Sequence, residues 1–172
     1  MSAYAGESQA HIRYLYFAEV AKKEGFKNIG RLFQAIAYSE QIHAHNHFKK
    51  MADLKGGFIT VAHAPFGPGG TAKNLELAIM GEVFEVEEMY PAYIAVAKEQ
   101  NEKMAELSFR WALESEKTHA ELFRNAKKAV EEGKDIGSGS IYVCEVCGYT
   151  IMGDAPDKCP VCGAPISKFR KF

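Results

Sequence analysis

Ser39-Glu40-Gln41-Ile42-His43-Ala44 recurs along the chain as Ser115-Glu116-Lys117-Thr118-His119-Ala120, and a phenylalanine stands seven residues before each glutamate. A shorter motif, Gly6-Glu7, recurs as Gly81-Glu82. The spacing from the glutamate of each short motif to the glutamate of the longer motif that follows it is 33 residues in the first case and 34 in the second. Self-similarity at such a spacing indicates a repeated structural unit, so we interpret this part of the chain as two related helix pairs.

Apolar residues around the motifs follow the 3.6-residue period of an amphipathic helix, which predicts that one face of each helix is buried. Each predicted face also carries acidic or imidazole side chains where apolar residues are expected. The three faces are Phe33, Ile36, Ala37, Glu40, His43, Ala44 and His47; Ile79, Glu82, Glu85, Val86, Met89 and Tyr93; and Phe109, Ala112, Leu113, Glu116, His119, Ala120 and Phe123.

Helix signals predict four helices before residue 133, with glycines as their C-terminal stops. The predicted spans are Ala3 to Glu24, Asn28 to Leu54, Asn74 to Gln100 and Lys103 to Glu132, with stops at Gly25, Gly56-Gly57 and Gly133. Pro91 falls inside the third span and is expected to kink that helix, because proline lacks the N–H donor.

Residues 58–73 separate the second and third predicted helices and contain Pro65, Gly67, Pro68, Gly69 and Gly70. This segment is too long and too rich in helix breakers for a tight hairpin, so it predicts a long crossover connection. Four helices with one such crossover favour a mainly α fold, a ferritin-like four-helix bundle.

Composition changes sharply near residue 133, where a glycine- and serine-rich stretch begins. We predict a helical domain over 1–133, a flexible linker over 134–140, and a small metal-binding domain over 141–172. The last segment is too small to fold well without a metal ion.

Acidic side chains on buried faces demand compensating positive charge, since an unpaired buried carboxylate costs several kcal/mol. The predicted faces contain no lysine or arginine, so we predict metal ions held by glutamates and histidines. A glutamate and a histidine three residues apart lie one turn apart on the same helix face, as in diiron carboxylate bundles. Oxygen and imidazole ligands suit iron or manganese. The candidate ligands are Glu7, Glu40, His43, Glu82, Glu85, Glu116 and His119.

Two tyrosines and four further histidines lie near the candidate ligands or elsewhere in the helical part of the chain. Tyr14 and Tyr90 each lie about two turns from a glutamate of their own helix, so a core role and a catalytic role are both open. His47 follows His43 by one turn and is expected to be no ligand. The other histidines are expected at the surface or in capping roles; they are His11, His45 and His63.

All four cysteines lie after residue 143, in two Cys-x-x-Cys pairs separated by eleven residues. Cys144, Cys147, Cys159 and Cys162 predict a tetrahedral four-thiolate site, which accepts either iron or zinc. Disulfide pairing is not expected from this spacing.

Overall composition excludes several classes of protein. The chain has 172 residues, 47% of them hydrophobic, with 21 basic and 22 acidic residues and a formal net charge of −1. This balance predicts no nucleic-acid partner and no binding to anionic membranes. No apolar run approaches the roughly 18 residues of a membrane span, and a cytoplasmic location is expected.

Both halves of the sequence resemble rubrerythrin, a ferritin-like diiron domain fused to a rubredoxin-like domain. The resemblance rests on motifs along nearly the whole chain: Ala5-Gly6-Glu7-Ser8, Glu40-x-x-His43, Gly81-Glu82-x-x-Glu85, Met89-Tyr90-Pro91, Glu116-x-x-His119, Cys144-x-x-Cys147-Gly148-Tyr149 and Cys159-Pro160-x-Cys162-Gly163.

The resemblance implies a role for each candidate ligand of the bundle. It implies that Glu40 and Glu116 bridge two iron ions. It implies further that Glu7 binds one iron, and that Glu82 and His119 complete the other. Finally, it implies that the Glu7 iron takes Glu85 when oxidised and His43 when reduced.

The resemblance also implies a hydrogen peroxide reductase that protects against oxidative stress, with electrons from an external donor such as rubredoxin or an NAD(P)H-dependent reductase. It suggests a homodimer in which the cysteine site of one subunit serves the diiron site of the other. The long segment before the third helix leaves open whether helices are exchanged between subunits. Two alternatives remain: a ferroxidase or iron-storage protein, and a structural or regulatory binding protein with a zinc ribbon.

Overall fold

The computed structural model describes residues 1–172 and consists mainly of helices, with a small sheet near the C-terminus. The helices are α1 (Ser2–Lys23), α2 (Lys27–Lys49), α3 (Thr71–Phe84), α4 (Tyr90–Glu99) and α5 (Lys103–Glu131). The strands are β1 (Ile141–Cys144), β2 (Thr150–Met152) and β3 (Phe169–Lys171). This architecture confirms the predicted fold class, a ferritin-like bundle with a small C-terminal domain. None of the helices combines the length and the apolar character needed to cross a membrane.

Helices α1 and α5 match their predicted spans to within one residue at each end. Gly25 and Gly133, the predicted stops, have φ values of +93° and +70°, in the left-handed region that glycine tolerates.

Helix α2 ends at Lys49, five residues before the predicted Leu54. The residues that follow are mostly exposed, so no buried face sustains the helix, and the chain continues in turns with i to i−3 hydrogen bonds. The predicted stop at Gly56-Gly57 was therefore wrong.

Helix α3 begins at Thr71, three residues before the predicted start at Asn74. The reason is a contact that is remote in sequence. Glu24 accepts hydrogen bonds from the backbone N–H of Thr71 at 2.8 Å and from its hydroxyl at 2.6 Å, and so caps the first turn.

The predicted third helix is divided by a π-helical turn over Glu85–Met89, which separates α3 from α4. Pro91 lies in the first turn of α4, where its missing N–H is tolerated, so the interruption precedes the proline. A π-helical turn holds more residues than an α-helical one, so it rotates the following residues about the axis. Tyr90 is fully buried just after this turn.

The bundle is built from two helix pairs, as the repeats predict: α1 packs mainly on α2, and α5 packs on α3 and α4. Tyr14, Phe17, Phe33 and Phe123 form an aromatic cluster at one end of the core, with ring centroids 5.0 to 6.1 Å apart.

The connection between α2 and α3 forms the predicted crossover and lies over α1 and α3. The side-chain amide of Gln9 reaches the carbonyl of His63 at 3.5 Å, and the His63 ring lies 4.8 Å from the ring of Phe84. The crossover thereby covers one side of the bundle.

The cysteine-containing segment forms a three-stranded antiparallel sheet with strand order β2-β1-β3. Ile141 and Val143 of β1 are fully buried and belong to the same apolar core as helices α1 and α2. The small domain therefore packs directly on the bundle of its own chain.

Residues 134–140 are tied to α2, whereas the sequence predicted a flexible connector. Asp135 accepts hydrogen bonds from the backbone N–H groups of Asn28, at 2.8 Å, and Ile29, at 3.1 Å. The side chain of Asn28 in turn donates to the carbonyl of Ile136, and Arg31 donates to the carbonyl of Gly139. Asp135 thus caps the N-terminus of α2 from more than 100 residues away, because its charge satisfies N–H groups that the helix leaves free.

Replacing Asp135 by alanine is expected to lower the free energy of unfolding by about 1 kcal/mol, the usual cost of a lost helix cap. Chemical denaturation of the metal-loaded protein measures this change. Asp154, which is exposed and forms no side-chain hydrogen bond, supplies the matched control, and Asp154→Ala is expected to be neutral. Equal effects of the two substitutions would contradict the capping role.

Candidate metal centres

Six side chains converge at the centre of the bundle and form two groups of four that share two members. One group is Glu7, Glu40, His43 and Glu116, and the other is Glu40, Glu82, Glu116 and His119. Within each group the candidate ligand atoms all lie within 4.8 Å of one another. Glu40 and Glu116 belong to both groups, which is the placement required of ligands shared by two neighbouring ions.

Each histidine directs its Nδ1 atom at the shared carboxylates. His43 Nδ1 lies 2.7 Å from Glu116 Oε1, and His119 Nδ1 lies 2.6 Å from Glu116 Oε2. His43 Nδ1 is also 3.4 Å from both Glu7 and Glu40, and His119 Nδ1 is 3.2 Å from Glu40. The two imidazoles therefore flank the shared pair from opposite ends.

The hydrogen bonding of the cluster is incomplete. Buried atoms without a hydrogen-bond partner include one or both carboxylate oxygens of Glu7, Glu40, Glu82 and Glu116, together with Nδ1 of His43. No lysine or arginine forms an ion pair with these carboxylates. Orphaned oxygen and imidazole atoms that face one another fit two metal ions of the iron or manganese type.

The outward nitrogens of the same histidines contact the small domain. His43 Nε2 donates to the carbonyl of Cys147 at 3.0 Å, and His119 Nε2 lies 3.0 Å from the hydroxyl of Thr150, which itself donates to the carbonyl of Gly148. These contacts place a ring proton on Nε2, so Nδ1 is the atom that binds a metal ion once its own proton leaves.

Tyr14 and Tyr90, whose role the sequence left open, both contact candidate ligands. The Tyr14 hydroxyl donates to Glu82 Oε1 at 2.5 Å, and the Tyr90 hydroxyl donates to Glu7 Oε1. Both rings are buried. Each hydroxyl holds one oxygen of its carboxylate in place, and the second oxygen of that carboxylate faces the cluster.

Glu85, the seventh predicted ligand, is buried but lies outside both four-residue groups. It lines a cavity of about 130 Å³ beneath the crossover, together with Arg13 and His63. Its position beside the cluster fits a ligand that is used in only one state, and this role stays a prediction.

Burial dominates the ionisation of the cluster. Burial, reinforced by neighbouring carboxylates, raises the pKa of Glu7, Glu82 and Glu85 well above the ordinary value. Burial alone would lower the pKa of His43 and His119, but the charge of Glu116 reverses the effect and raises both. Without metal, the cluster therefore retains protons that ordinary carboxylic acids lose.

The four cysteines lie together in the small domain, with their sulfur atoms within 4.8 Å of one another and none in a disulfide. Cys144 Sγ is 3.6 Å from Cys162 Sγ, and Cys147 Sγ is 3.5 Å from Cys159 Sγ. Gly148 and Gly163 follow the two pairs, with φ values of +87° and +76°. The arrangement fits one tetrahedral metal ion.

The cysteine site lies against the bundle of its own chain. The arrangement that the resemblance suggested, in which this site serves a partner subunit, stays a prediction. Gly148 touches the bundle so closely that a Cβ atom there would come within 2.2 Å of His43 Nε2 and 2.6 Å of Ser39 Oγ. Ser39 donates to the carbonyl of Gly148 at 2.6 Å. The anchored linker explains this placement, because it fixes the start of β1 beside α2.

Several polar contacts around the cluster were not predicted from the sequence. Ser39 and Ser115 occupy the same position in the two repeated motifs, and this recurrence could have indicated that they have a role. The Ser39 hydroxyl donates to the carbonyl of Gly148, and the Ser115 hydroxyl donates to the carbonyl of Cys147. Thr150 and Ser108 carried no signal of their own. His47, expected to be no ligand, lies outside both metal groups but bonds to Tyr90. Of the other histidines, His11 bonds to a backbone carbonyl and His45 is exposed.

Comparison with known proteins gives a consistent match over the whole chain. Residues 1–127 match the family model described as Rubrerythrin, and residues 142–170 match the rubredoxin-like domain of rubrerythrin. Rubrerythrin-2 of Clostridium acetobutylicum is 48% identical over 99% of this chain and 93% of its own length. Nigerythrin of Nitratidesulfovibrio vulgaris is 32% identical over 99% of this chain and 83% of its own. The structure of fully reduced, all-ferrous nigerythrin superposes with a TM-score of 0.87, at 32% identity, over 99% of this chain and 83% of that one.

Metal binding by the bundle is expected to release protons and to weaken as the pH falls. Because their pKa values are raised, Glu7, Glu82 and Glu85 keep protons to a higher pH than ordinary carboxyl groups, and these protons must leave when a metal ion enters. Zinc titration calorimetry at pH 6 and pH 8, in buffers of different ionisation heat, measures both effects.

The double variant Glu40→Ala with Glu116→Ala supplies the background for this measurement, because it keeps the cysteine site and loses both shared carboxylates. Bundle affinity that is the same at pH 6 and pH 8, after subtraction of this background, would contradict the expectation.

Proposed function

Because the chain belongs to the rubrerythrin family, we propose that it is a non-haem diiron peroxidase, an oxidoreductase that reduces hydrogen peroxide to water with electrons delivered through its four-cysteine iron site. The family carries a diiron carboxylate site and a four-cysteine rubredoxin-like site, and it is known for iron-dependent peroxide reduction.

One contact carries the proposal: His43 lies between the two sites. Its Nδ1 atom faces the carboxylates of the bundle, and its Nε2 atom donates to the carbonyl of Cys147, itself a member of the four-cysteine group. One side chain and one hydrogen bond thus connect a site suited to peroxide chemistry with a site suited to one-electron transfer. Neither a mineral store nor a zinc ribbon requires that connection.

The proposed ligands come from different helices and would form two iron positions. Glu40 and Glu116 would be shared by two iron ions, Glu7 and His43 would complete one position, and Glu82 and His119 the other. A reduced pair of iron ions supplies the two electrons that cleavage of the peroxide O–O bond consumes. Glu85, beside the cluster, would serve the Glu7 position in the oxidised state.

The chain's own groups orient this site and shield it. The hydroxyls of Tyr14 and Tyr90 hold Glu82 and Glu7 by hydrogen bonds, so the second oxygen of each carboxylate points inward. The strand end at Thr150 fixes the ring of His119. Together with the burial of all six central side chains, these contacts give a rigid site without bulk water.

Electrons would enter from an external donor, such as rubredoxin or an NAD(P)H-dependent reductase. Cys162 is partly exposed while the other three cysteines are buried, so it offers the nearest approach to the thiolate site. The free thiols suit a reducing cytoplasm, where we place the protein.

We also propose that the protein is a homodimer. The crossover between α2 and α3 exposes large apolar side chains, including Ile59 at 90% and Phe66 at 85%. Such exposure is typical of a surface that a partner covers.

Reoxidation of the reduced, iron-loaded protein is expected to be faster with hydrogen peroxide than with dioxygen. Stopped-flow absorption spectroscopy at equal oxidant concentrations measures the two rates. The double variant Glu40→Ala with Glu116→Ala should retain the cysteine iron and lose peroxide turnover. A reduced protein that dioxygen oxidises faster, or that deposits added ferrous iron as a mineral, would instead indicate a ferroxidase.

Replacing Gly148 by alanine is expected to slow electron delivery to the bundle by at least about tenfold. The new Cβ would collide with His43 and Ser39, so the small domain must move away from the bundle. The matched control is Gly163→Ala, which has the same left-handed backbone, whereas its Cβ would meet nothing within 4 Å. Single-turnover kinetics from the reduced cysteine iron compare the two, and equal rates would contradict a route through His43.

A further inference from the structure

A continuous row of hydrogen bonds runs outward from Glu7 and ends at Ser108. The Tyr90 hydroxyl donates to Glu7, His47 Nε2 lies 3.0 Å from the Tyr90 oxygen, and Ser108 Oγ lies 2.9 Å from His47 Nδ1. All four side chains are buried. The row crosses from α1 through α4 and α2 to α5, so it is a tertiary feature of the bundle.

Every bond in this row points the same way. When Glu7 is ionised as a metal ligand, Tyr90 gives it the one hydroxyl proton, so the bond to His47 requires a proton on Nε2. Burial lowers the pKa of His47 to about 3, so the ring is neutral and its Nδ1 accepts from Ser108. The order of donors is therefore Ser108, His47, Tyr90 and finally Glu7.

The outer end of the row reaches the surface. His47 and Ser108 both line a cavity of about 260 Å³, which also touches the polar side chains of Lys50 and Glu102. The cavity is large enough for several water molecules. Water there can supply a proton to Ser108 or to His47.

The repeated helix pairs provide an internal comparison. His47 follows His43 by four residues, and the residue that follows His119 by four is Phe123. Tyr90 lies beside His47, with ring centroids 5.9 Å apart, whereas Tyr14 lies beside Phe123 at 5.3 Å. The Tyr14 hydroxyl also bonds a carboxylate, but its ring is enclosed by Phe17, Phe33 and Phe123. An apolar ring fills the equivalent position, so packing alone does not require a histidine at position 47.

We propose that Ser108, His47 and Tyr90 form a proton relay from the surface cavity to Glu7, with His47 as the residue that opens the path. This inference rests on the proposed function, since reduction of one hydrogen peroxide to two waters consumes two electrons and two protons. The electrons come from the reduced iron pair, and the protons come from solvent along this row.

Each passage moves one proton without leaving a charge on the relay. Tyr90 gives its hydroxyl proton to Glu7 Oε1, His47 gives its Nε2 proton to the Tyr90 oxygen, and Ser108 gives its proton to His47 Nδ1. Water in the cavity restores the proton of Ser108, and His47 returns to its first tautomer by exchange with the same water. A peroxide bound in the cluster would take this proton once the Glu7 carboxyl group turns inward, and one of its oxygens would leave as water when the O–O bond breaks.

Exchange of the two tyrosine hydroxyl protons with solvent tests the relay directly. In an equal mixture of H2O and D2O, the Cζ carbon of a tyrosine gives two NMR signals when its hydroxyl exchanges slowly and one averaged signal when it exchanges fast. In the zinc-loaded full chain, we expect one signal for Tyr90 and two for Tyr14. In His47→Phe, which installs the residue of the equivalent position, Tyr90 should give two signals.

A second substitution separates the relay from hydrogen bonding alone. His47→Gln keeps a donor for Tyr90 but has no second nitrogen to accept a proton, so Tyr90 should again give two signals. In the iron-loaded protein, both variants should slow single-turnover peroxide reduction by about 10²-fold, the lower end of what positioned proton transfer contributes.

Two results would overturn the relay: two signals for Tyr90 in the native chain, or a single averaged signal for Tyr90 in both variants. The exchange measurement needs no peroxide turnover. Failure of the native protein to reduce peroxide would therefore overturn the proposed function and leave the exchange result to decide the relay.

Discussion

Mutual repulsion among buried carboxylates is the constraint on which the rest of this structure depends. Glu7, Glu40, Glu82 and Glu116 come from four different helical segments and meet in one buried region that no lysine or arginine enters. Burial of this kind is unfavourable unless cations or protons neutralise it. The core of the bundle is therefore apolar at the aromatic end and acidic at the centre. The acidic part is stable only when cations or protons are bound to it.

Periodicity and spacing were sufficient to predict the helical fold and the members of both metal groups, because a helix converts sequence spacing directly into a shared face. The repeat of Glu40 and His43 at Glu116 and His119 is such a case. Sequence could not predict the cap that Asp135 provides, the early start of α3 at Thr71 beside Glu24, or the contact of Thr150 with His119. Each joins residues far apart in the chain, so it depends on how whole elements pack.

The interruption of the third helix shows a different limit. Pro91 correctly indicated an irregularity, but the chain accommodates it with a π-helical turn that begins at Glu85. That turn carries one predicted ligand and delivers Tyr90 to the buried face. Irregular helix geometry at this point has a use that the propensity of single residues does not reveal.

The burial of Ile141 and Val143 in the bundle core has a consequence for how the protein responds to damage. Two strand residues of the small domain pack in the core of the helical domain, and Asp135 caps the N-terminus of α2. Because of this shared packing, we expect the two domains to unfold together. Oxidation or loss of the thiolate metal would first loosen the cysteine turns. It would then destabilise the helices that carry the carboxylates. Loss of the thiolate metal is therefore expected to lower the stability of the carboxylate cluster as well as that of the small domain.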